Sequence, residues 1–192
     1  MNTQKEILYA TSNHGKFEEV TGYIQENEPN INIVQFSADI PEIQTLDQRY
    51  IAIDKAKKAW QIAQRPLLID DAAIYFDKYN QFPGTLSKFI WQGLNFEGVK
   101  KLIENSDLAK FLLYLVYIYG PDKYEVFEGV CEGTLVKPEI FNAHPSLPFD
   151  SIFVPNGTKK TYAELRDTPE AKNYLYRLRA LQKFLAWYKN KI

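Results

Sequence analysis

The sequence predicts an α/β fold, and two observations support this prediction. In the first part of the chain, short apolar runs alternate with segments whose apolar residues recur at helical spacing. This order of strand, helix, strand, helix and strand is typical of an α/β protein. Further along, apolar runs are separated by glycine and proline turns, which favour antiparallel strands. We therefore expect a sheet with helices packed against it.

Five elements are predicted in the first part of the chain from apolar periodicity and from residues that cap or break helices. In chain order they are a strand over 7–10, a helix over 16–26, a strand over 31–36, a helix from the N-cap Asp47 to about Gln64, and a short strand over 67–69 that ends in Asp70-Asp71.

The second part predicts more strands and two more helices, with a turn at Gly120-Pro121-Asp122-Lys123. Proline is favoured in the first turn of a helix, so Pro169 is the expected start of the last one. The predicted elements are a helix over 96–104, strands over 112–119, 124–127 and 130–136, and a helix from Pro169 through Trp187.

The composition excludes several classes of protein. A formal net charge of −1 over 192 residues gives no basic field for nucleic acid or an anionic membrane. The single cysteine, Cys131, excludes an internal disulfide and a cysteine-rich zinc site. The polar N-terminus does not resemble a signal peptide, and the longest apolar run, about Phe111 to Tyr119, is far shorter than the roughly 20 residues that span a bilayer. We expect a cytoplasmic protein with no nucleic-acid or membrane partner.

The turn after the first strand carries a group of polar side chains. Thr11, Ser12, Asn13 and Lys16 supply two hydroxyls, a carboxamide and an ammonium where a helix begins. Exposed N–H groups and the positive end of the helix dipole make such a place suitable for a phosphate. The spacing is not that of a P-loop, and Asn13 is equally explained as a turn former.

Acidic and basic residues follow at three other positions. Glu42 lies in a loop after a strand, Asp70 and Asp71 follow another strand, and Lys16 and Lys55 lie on the first two helices. Carboxylates that converge with lysines suit a hard divalent cation bound to a polyphosphate, since Mg²⁺ takes one or two carboxylates plus substrate oxygens. Taken singly, each residue has an ordinary explanation, as a helix cap or as a solvated surface side chain.

Several segments in a fixed order extend over nearly the whole chain. They are ATSNHGKFEE (10–19), DIPEIQ (39–44), IDKA (53–56), DDA (70–72), PG (83–84), FEG (127–129), FDSIFVPNG (149–157) and TYAEL (161–165). Taken together, they resemble the inosine triphosphate pyrophosphatase family, also called the Ham1-like family.

The resemblance implies a fold and an activity. The fold would be a two-lobed mixed sheet with flanking helices, in which residues 1–192 form one domain with a central cleft between the lobes. The protein would be a homodimer that hydrolyses non-standard purine nucleoside triphosphates such as ITP, dITP and XTP to the monophosphate and pyrophosphate.

The resemblance also implies roles for individual residues. Glu42 and Asp71 would bind Mg²⁺, and Asp71 would also be the general base toward the attacking water. Lys16 and Lys55 would complete the catalytic set by stabilising charge on the polyphosphate. Substrate contacts are implied for Thr11, Ser12, Asn13, Lys16, Lys55, Ala72, Phe149, Asp150, Lys172, Tyr176 and Arg177.

The chain departs from the family pattern where the base would bind. Leu147 and Pro148 stand where the family has a stacking phenylalanine and a glycine, and Tyr176 replaces a histidine. The spacing from Lys172 to Arg177 is also one residue shorter than the family's lysine-to-arginine spacing. One residue on a helix corresponds to about 100° of rotation, so either Lys172 or Arg177 would be turned away from the site. Our hypothesis is a pyrophosphatase with altered base specificity. The alternatives are a non-catalytic nucleotide-binding dimer and a house-cleaning pyrophosphatase for other modified nucleotides.

Overall fold

The computed structural model describes residues 5–80 and 82–191. Within these ranges the chain forms two compact units. The first unit contains the segments up to Asp71, 113–129 and from Arg177 onward, and the second contains Ala72–Leu112 and Val130–Tyr176. The single domain expected over residues 1–192 stays a prediction.

The described residues contain helices on a mixed sheet, with short 3₁₀ turns between some of them. The elements are β1 (Lys5–Ala10), α1 (His14–Asn27), β2 (Ile31–Phe36), α2 (Gln48–Ala63), β3 (Leu67–Phe76), β4 (Phe82–Pro83), α3 (Ser87–Leu102), β5 (Leu108–Gly120), β6 (Lys123–Leu135), β7 (Phe153–Pro155), α4 (Tyr162–Leu165) and α5 (Tyr176–Lys189). The predicted α/β class is therefore confirmed. None of the helices in the described ranges is both long and apolar enough to cross a membrane.

In the first unit, β1 lies between two parallel neighbours. It pairs with β2 on one side and β3 on the other, and the strand order is β2-β1-β3-β5-β6. The pairing of β1 with β3 ends where Ala10 lies opposite Ile69. Asp70 and Asp71 follow directly after this last pair, so they lie beside the turn that follows β1.

Helix α2 packs against one face of β1 and β3. Leu8 and Ala10 of β1 and Leu67 and Ile69 of β3 pack in one apolar cluster with three alanines of α2. Side chains alternate along a strand, so Asp70 points to the face opposite that of Ile69. A pair of consecutive aspartates therefore delivers one carboxylate to each face of the sheet.

The local predictions for the first unit are largely confirmed. Asp47 caps α2, and its carboxylate accepts the Tyr50 N–H at 2.9 Å. The prediction that β3 ends at Asp70-Asp71 is wrong, because the strand continues to Phe76. The continuation is stabilised by buried Ala73, Ile74 and Phe76 and by pairing with β4.

In the second unit, two helix predictions need correction. Helix α3 begins at Ser87 rather than at residue 96, and Asn95 interrupts it with φ 54° and ψ −172°. The predicted helix corresponds to the part after this interruption. The strands β5 and β6 are each longer than predicted, and β6 continues through Gly129 without a break.

The predicted helix from Pro169 through Trp187 is two separate elements. A 3₁₀ turn covers Pro169–Asn173, and α5 begins only at Tyr176. Between them, the Tyr162 hydroxyl donates to the Tyr174 carbonyl at 2.9 Å, so this carbonyl is bound by a side chain. Since Lys172 and Arg177 do not share a helix, the rotation argument from their spacing does not apply.

Candidate active site

The turn between β1 and α1 is held by its own polar groups. Asn13 is the N-cap of α1, and its carboxamide oxygen accepts the Lys16 N–H at 3.0 Å. The Thr11 hydroxyl accepts the Asn13 N–H at 3.1 Å, and the Thr11 N–H donates to the Phe36 carbonyl at 3.1 Å. Ser12 is exposed. The turn thus presents the start of a helix at the carboxyl edge of the sheet, where a phosphate is favoured.

Asp70 is the centre of a buried network that reaches this turn. Its Oδ1 accepts the Lys16 ammonium at 2.7 Å, and its Oδ2 accepts the Tyr9 hydroxyl at 2.9 Å and Arg177 Nε at 2.7 Å. Arg177 also donates to Glu19 at 2.8 Å. The side chains of Arg177 and Asp70 are only 1% and 2% exposed, whereas that of Lys16 is 22% exposed. Lys16 is therefore held by the buried Asp70 carboxylate, while part of the Lys16 side chain is exposed to solvent.

The pKa values of Asp70 and Tyr9 are shifted in opposite directions within this network. Burial alone would raise the pKa of Asp70, but Lys16 and Arg177 outweigh it and hold the pKa of Asp70 well below its ordinary value. Burial, and then the negative charge of Asp70, raises the pKa of Tyr9 well above its ordinary value. Asp70 is thus a permanent hydrogen-bond acceptor. No local sequence pattern predicts this role of Asp70, although Glu19 follows Lys16 by three residues and shares its helix face.

On the opposite face of the sheet, Lys55 of α2 connects two carboxylates. Its ammonium is 2.7 Å from Glu42 Oε1 and 3.6 Å from Asp71 Oδ1. The Glu42 side chain is 41% exposed and that of Asp71 is 16% exposed. Residues from a loop, a helix and a strand that are distant in sequence therefore meet at one point.

The pKa values of this group reflect burial and mutual charge. Burial raises the pKa of Asp71; Lys55 and Lys16 lower it, Glu42 and Asp70 raise it, and the net shift is upward. For Lys55, burial acts to lower the pKa, but Asp71 and Glu42 outweigh it and raise that pKa. Burial is the largest single influence on both pKa values. For Lys55 the combined attraction of the carboxylates exceeds it, whereas for Asp71 burial together with Glu42 and Asp70 exceeds the attraction of the two lysines. A carboxylate with a raised pKa is a better proton acceptor than an ordinary aspartate.

The residues present fit a divalent cation that is shared with a substrate. Glu42 and Asp71 already contact one common cation, the Lys55 ammonium, so both carboxylates are directed at one point. In residues 5–80 and 82–191, no group of three or more acidic, histidine or cysteine side chains is placed to hold a metal. Two carboxylates without further protein ligands suit Mg²⁺, which completes its shell with water and phosphate oxygens.

The predicted base contacts in the second unit are buried among other side chains. Phe149 lies in a 3₁₀ turn over Pro148–Ser151, with its ring centroid 5.4 Å from that of Trp91. Asp150 is buried and forms an ion pair with Arg166. Ala72 follows Asp71 in β3 and is half-buried.

Tyr176 and Lys172 have contrasting environments. The Tyr176 ring is 3% exposed and stacks on Phe111 at 4.8 Å between centroids, with 15° between the ring planes. Lys172 is exposed on the 3₁₀ turn. Arg177, the next residue after Tyr176, belongs to the first unit and to the Asp70 network. Whether these residues contact substrate stays a prediction.

The chain is similar to known proteins over most of its length. The model of the Ham1 family matches residues 7–187. A dITP/XTP pyrophosphatase of Pyrococcus horikoshii is 31% identical, and the match covers 95% of this chain and 96% of the relative. An inosine triphosphate pyrophosphatase 2 of Trypanosoma cruzi is 31% identical, with 90% and 86% covered. A HAM1 protein from Coxiella burnetii has the same fold, with a TM-score of 0.78, 22% identity and coverage of 97% and 99%.

Proposed function

The chain belongs to the Ham1 family, and from this premise we propose that it hydrolyses nucleoside triphosphates to nucleoside monophosphates and pyrophosphate. The observation that carries the proposal is the Lys55 ammonium within 2.7 Å of Glu42 and 3.6 Å of Asp71. The turn that precedes Lys16 lies at the same edge of the sheet. Relatives named dITP/XTP pyrophosphatase and inosine triphosphate pyrophosphatase support non-standard purine triphosphates as the substrate class.

The proposed reaction is addition of water to the α-phosphorus. The bond between the α-phosphorus and the bridging oxygen breaks, and pyrophosphate leaves with the bond's electron pair. Asp71, whose carboxylate lies 3.6 Å from the Lys55 ammonium, would accept the proton of the attacking water. Mg²⁺, held by Glu42 and Asp71 when bound, would neutralise charge on the phosphate oxygens.

Lys16 and Lys55 would bind the polyphosphate. The ammonium of each is paired with a carboxylate, that of Lys16 with Asp70 at 2.7 Å and that of Lys55 with Glu42 at 2.7 Å. Transfer of a phosphoryl-type group depends mainly on positioning and on charge stabilisation, which such preorganised cations supply.

Base specificity is proposed to be broader than that implied by the family pattern. In the second unit, the Tyr176 ring is stacked on Phe111 and Asp150 is paired with Arg166. Pro148 has no N–H to donate. A site with few polar groups for the base discriminates weakly between bases that differ in polar substituents.

A turnover panel tests both parts of the proposal. Purified protein with Mg²⁺ is given dITP, XTP and the four common triphosphates, and products are separated by ion-exchange chromatography. We expect monophosphate and pyrophosphate from several bases at comparable kcat/KM. A strong preference for dITP and XTP would contradict only the proposed broad specificity. If no nucleotide yielded pyrophosphate, the proposed activity itself would be contradicted. The expected homodimer also stays a proposal, which light scattering of the purified protein measures.

A further inference from the structure

The loop that carries Glu42 is tied to α2 by a second lysine. Lys58 donates from its ammonium to the Pro41 carbonyl at 3.0 Å. The same ammonium is 2.6 Å from Asp54 Oδ2, one turn earlier on α2. A hydrogen bond from a charged donor is stronger than a neutral one. It acts on the peptide group between Pro41 and Glu42, directly next to the Glu42 Cα atom.

The contact between Lys58 and Pro41 matters because the loop is largely exposed to solvent near Glu42. Pro41, Glu42 and Gln44 are exposed, and Leu46 further along is exposed as well. Ile40 packs against the apolar cluster under α2, so the loop is anchored just before Pro41. Lys58 extends this anchor to the peptide group that orients the Glu42 side chain.

Helix α2 supports the other carboxylate in a similar way. The buried Gln48 side chain donates from Nε2 to the Asp71 carbonyl at 3.1 Å. Gln48 and Lys55 are seven residues apart, about two helical turns, and Lys58 is three residues beyond Lys55. One helix thus holds the backbone at both carboxylates and places Lys55 between them.

We propose that Lys58 is a positioning residue, which holds the Pro41 carbonyl so that the Glu42 carboxylate can bind a divalent cation together with Asp71. The inference rests on the proposed function for the use of the cation, but the cation-binding step can be measured without nucleotide. Groups that orient metal ligands typically change metal affinity by 10–100-fold when they are removed.

The sign of the effect separates positioning from simple electrostatics. Removing a positive charge next to a cation site should tighten cation binding on Coulombic grounds. A positioning role predicts weaker cation binding, because the loop that carries Glu42 loses its hydrogen bond to α2. Lys58→Met is therefore expected to weaken binding even though it removes a repulsive charge.

The experiment measures Mn²⁺ binding to the nucleotide-free full chain by electron paramagnetic resonance. We expect Lys58→Met to weaken Mn²⁺ binding about tenfold and to raise the Mg²⁺ concentration for half-maximal turnover by a similar factor, with kcat at saturating Mg²⁺ retained. Lys58→Arg keeps a charged donor and is expected to restore binding. Circular dichroism melting of each variant separates this effect from a loss of folding.

Two further variants serve as controls. Lys57→Met is the same substitution one residue earlier, where the ammonium pairs with exposed Asp122 at 3.0 Å, and it should leave Mn²⁺ binding unchanged. Asp54→Asn removes the ion pair of Lys58 but keeps its bond to Pro41, so binding should weaken far less than in Lys58→Met, by no more than the loss of one negative charge near the site produces.

Unchanged or tighter Mn²⁺ binding in Lys58→Met would overturn the inference. So would equal weakening in Lys57→Met or in Asp54→Asn, because the effect would then not come from the Pro41 contact. A wild-type protein that binds Mn²⁺ but hydrolyses no triphosphate would contradict the proposed function while leaving the positioning role of Lys58 measurable.

Discussion

Replacing Asp70 with asparagine keeps the shape of the side chain and removes a charge on which three donors converge. Lys16 lies at 2.7 Å, Arg177 at 2.7 Å and Tyr9 at 2.9 Å from its two oxygens. In Asp70→Asn, one oxygen becomes an amide nitrogen that faces a donor, and Arg177 loses a charged acceptor while its bond to Glu19 is kept. The substitution therefore disrupts a buried charge network without creating a cavity.

The magnitude follows from the burial of the partners. Breaking a buried ion pair by removing one charge costs about 3–5 kcal/mol. Lys16 is 22% exposed and can be rehydrated, so we expect a value near the lower end, about 3 kcal/mol. Tyr9→Phe removes only one hydrogen bond to the same carboxylate and should cost about 1.5 kcal/mol.

Urea unfolding at neutral and acidic pH measures this effect. Because the folded pKa of Asp70 is lowered, its contribution to the free energy of unfolding is present above the unfolded-state pKa and is lost as pH falls toward the folded pKa. The difference between wild type and Asp70→Asn should therefore be full at pH 7 and shrink below about pH 4.

The matched control is Asp122→Asn, since the Asp122 side chain is 83% exposed and pairs only at the surface with Lys57. We expect it to unfold like the wild type. The reasoning would be refuted if Asp70→Asn were as harmless as Asp122→Asn, or less destabilising than Tyr9→Phe, or if its effect did not diminish in acid.

Two other substitutions test separate parts of the chain. Lys55→Met should lower kcat/KM for a triphosphate by roughly 10²-fold, because it removes a preorganised charge; steady-state kinetics measure this, and wild-type kcat/KM in that variant would contradict the role. Thr161→Ala should destabilise by about 1 kcal/mol in denaturant unfolding, because the Thr161 side chain and the Glu164 carboxylate form the capping box of α4. An unchanged midpoint would show that this cap contributes nothing.

Elements with local signals could be predicted from the sequence. The bounds of β2, the N-cap Asp47 and the main part of α1 depend on apolar spacing and capping residues a few positions apart, which the sequence shows directly. The family was also predicted correctly from the order of its segments.

Features that depend on distant contacts could not be predicted. Two consecutive aspartates are typical of a strand end, yet β3 continues through them because each has partners brought by the fold. Asp70 and Arg177 are 107 residues apart in sequence, and no local pattern indicates their contact. The break before α5 has the same origin, since the Tyr162 hydroxyl binds the Tyr174 carbonyl there.

In the candidate site, too, some residues could be predicted from the sequence and others could not. Lys55, Glu42 and Asp71 were singled out by residue type, and the structure brings them together. Lys58 and Gln48 were not, because their contacts are with backbone carbonyls, which carry no residue-type signal.

Product analysis of Asp71→Asn tests the central claim most directly. The wild type and the variant are incubated with dITP and Mg²⁺, pyrophosphate and orthophosphate are quantified, and circular dichroism verifies that both are folded. We expect the wild type to release one pyrophosphate per monophosphate and the folded variant to lose this activity. Orthophosphate as the wild-type product, or undiminished pyrophosphate release by Asp71→Asn, would show that Asp71 does not have the proposed role in a pyrophosphatase.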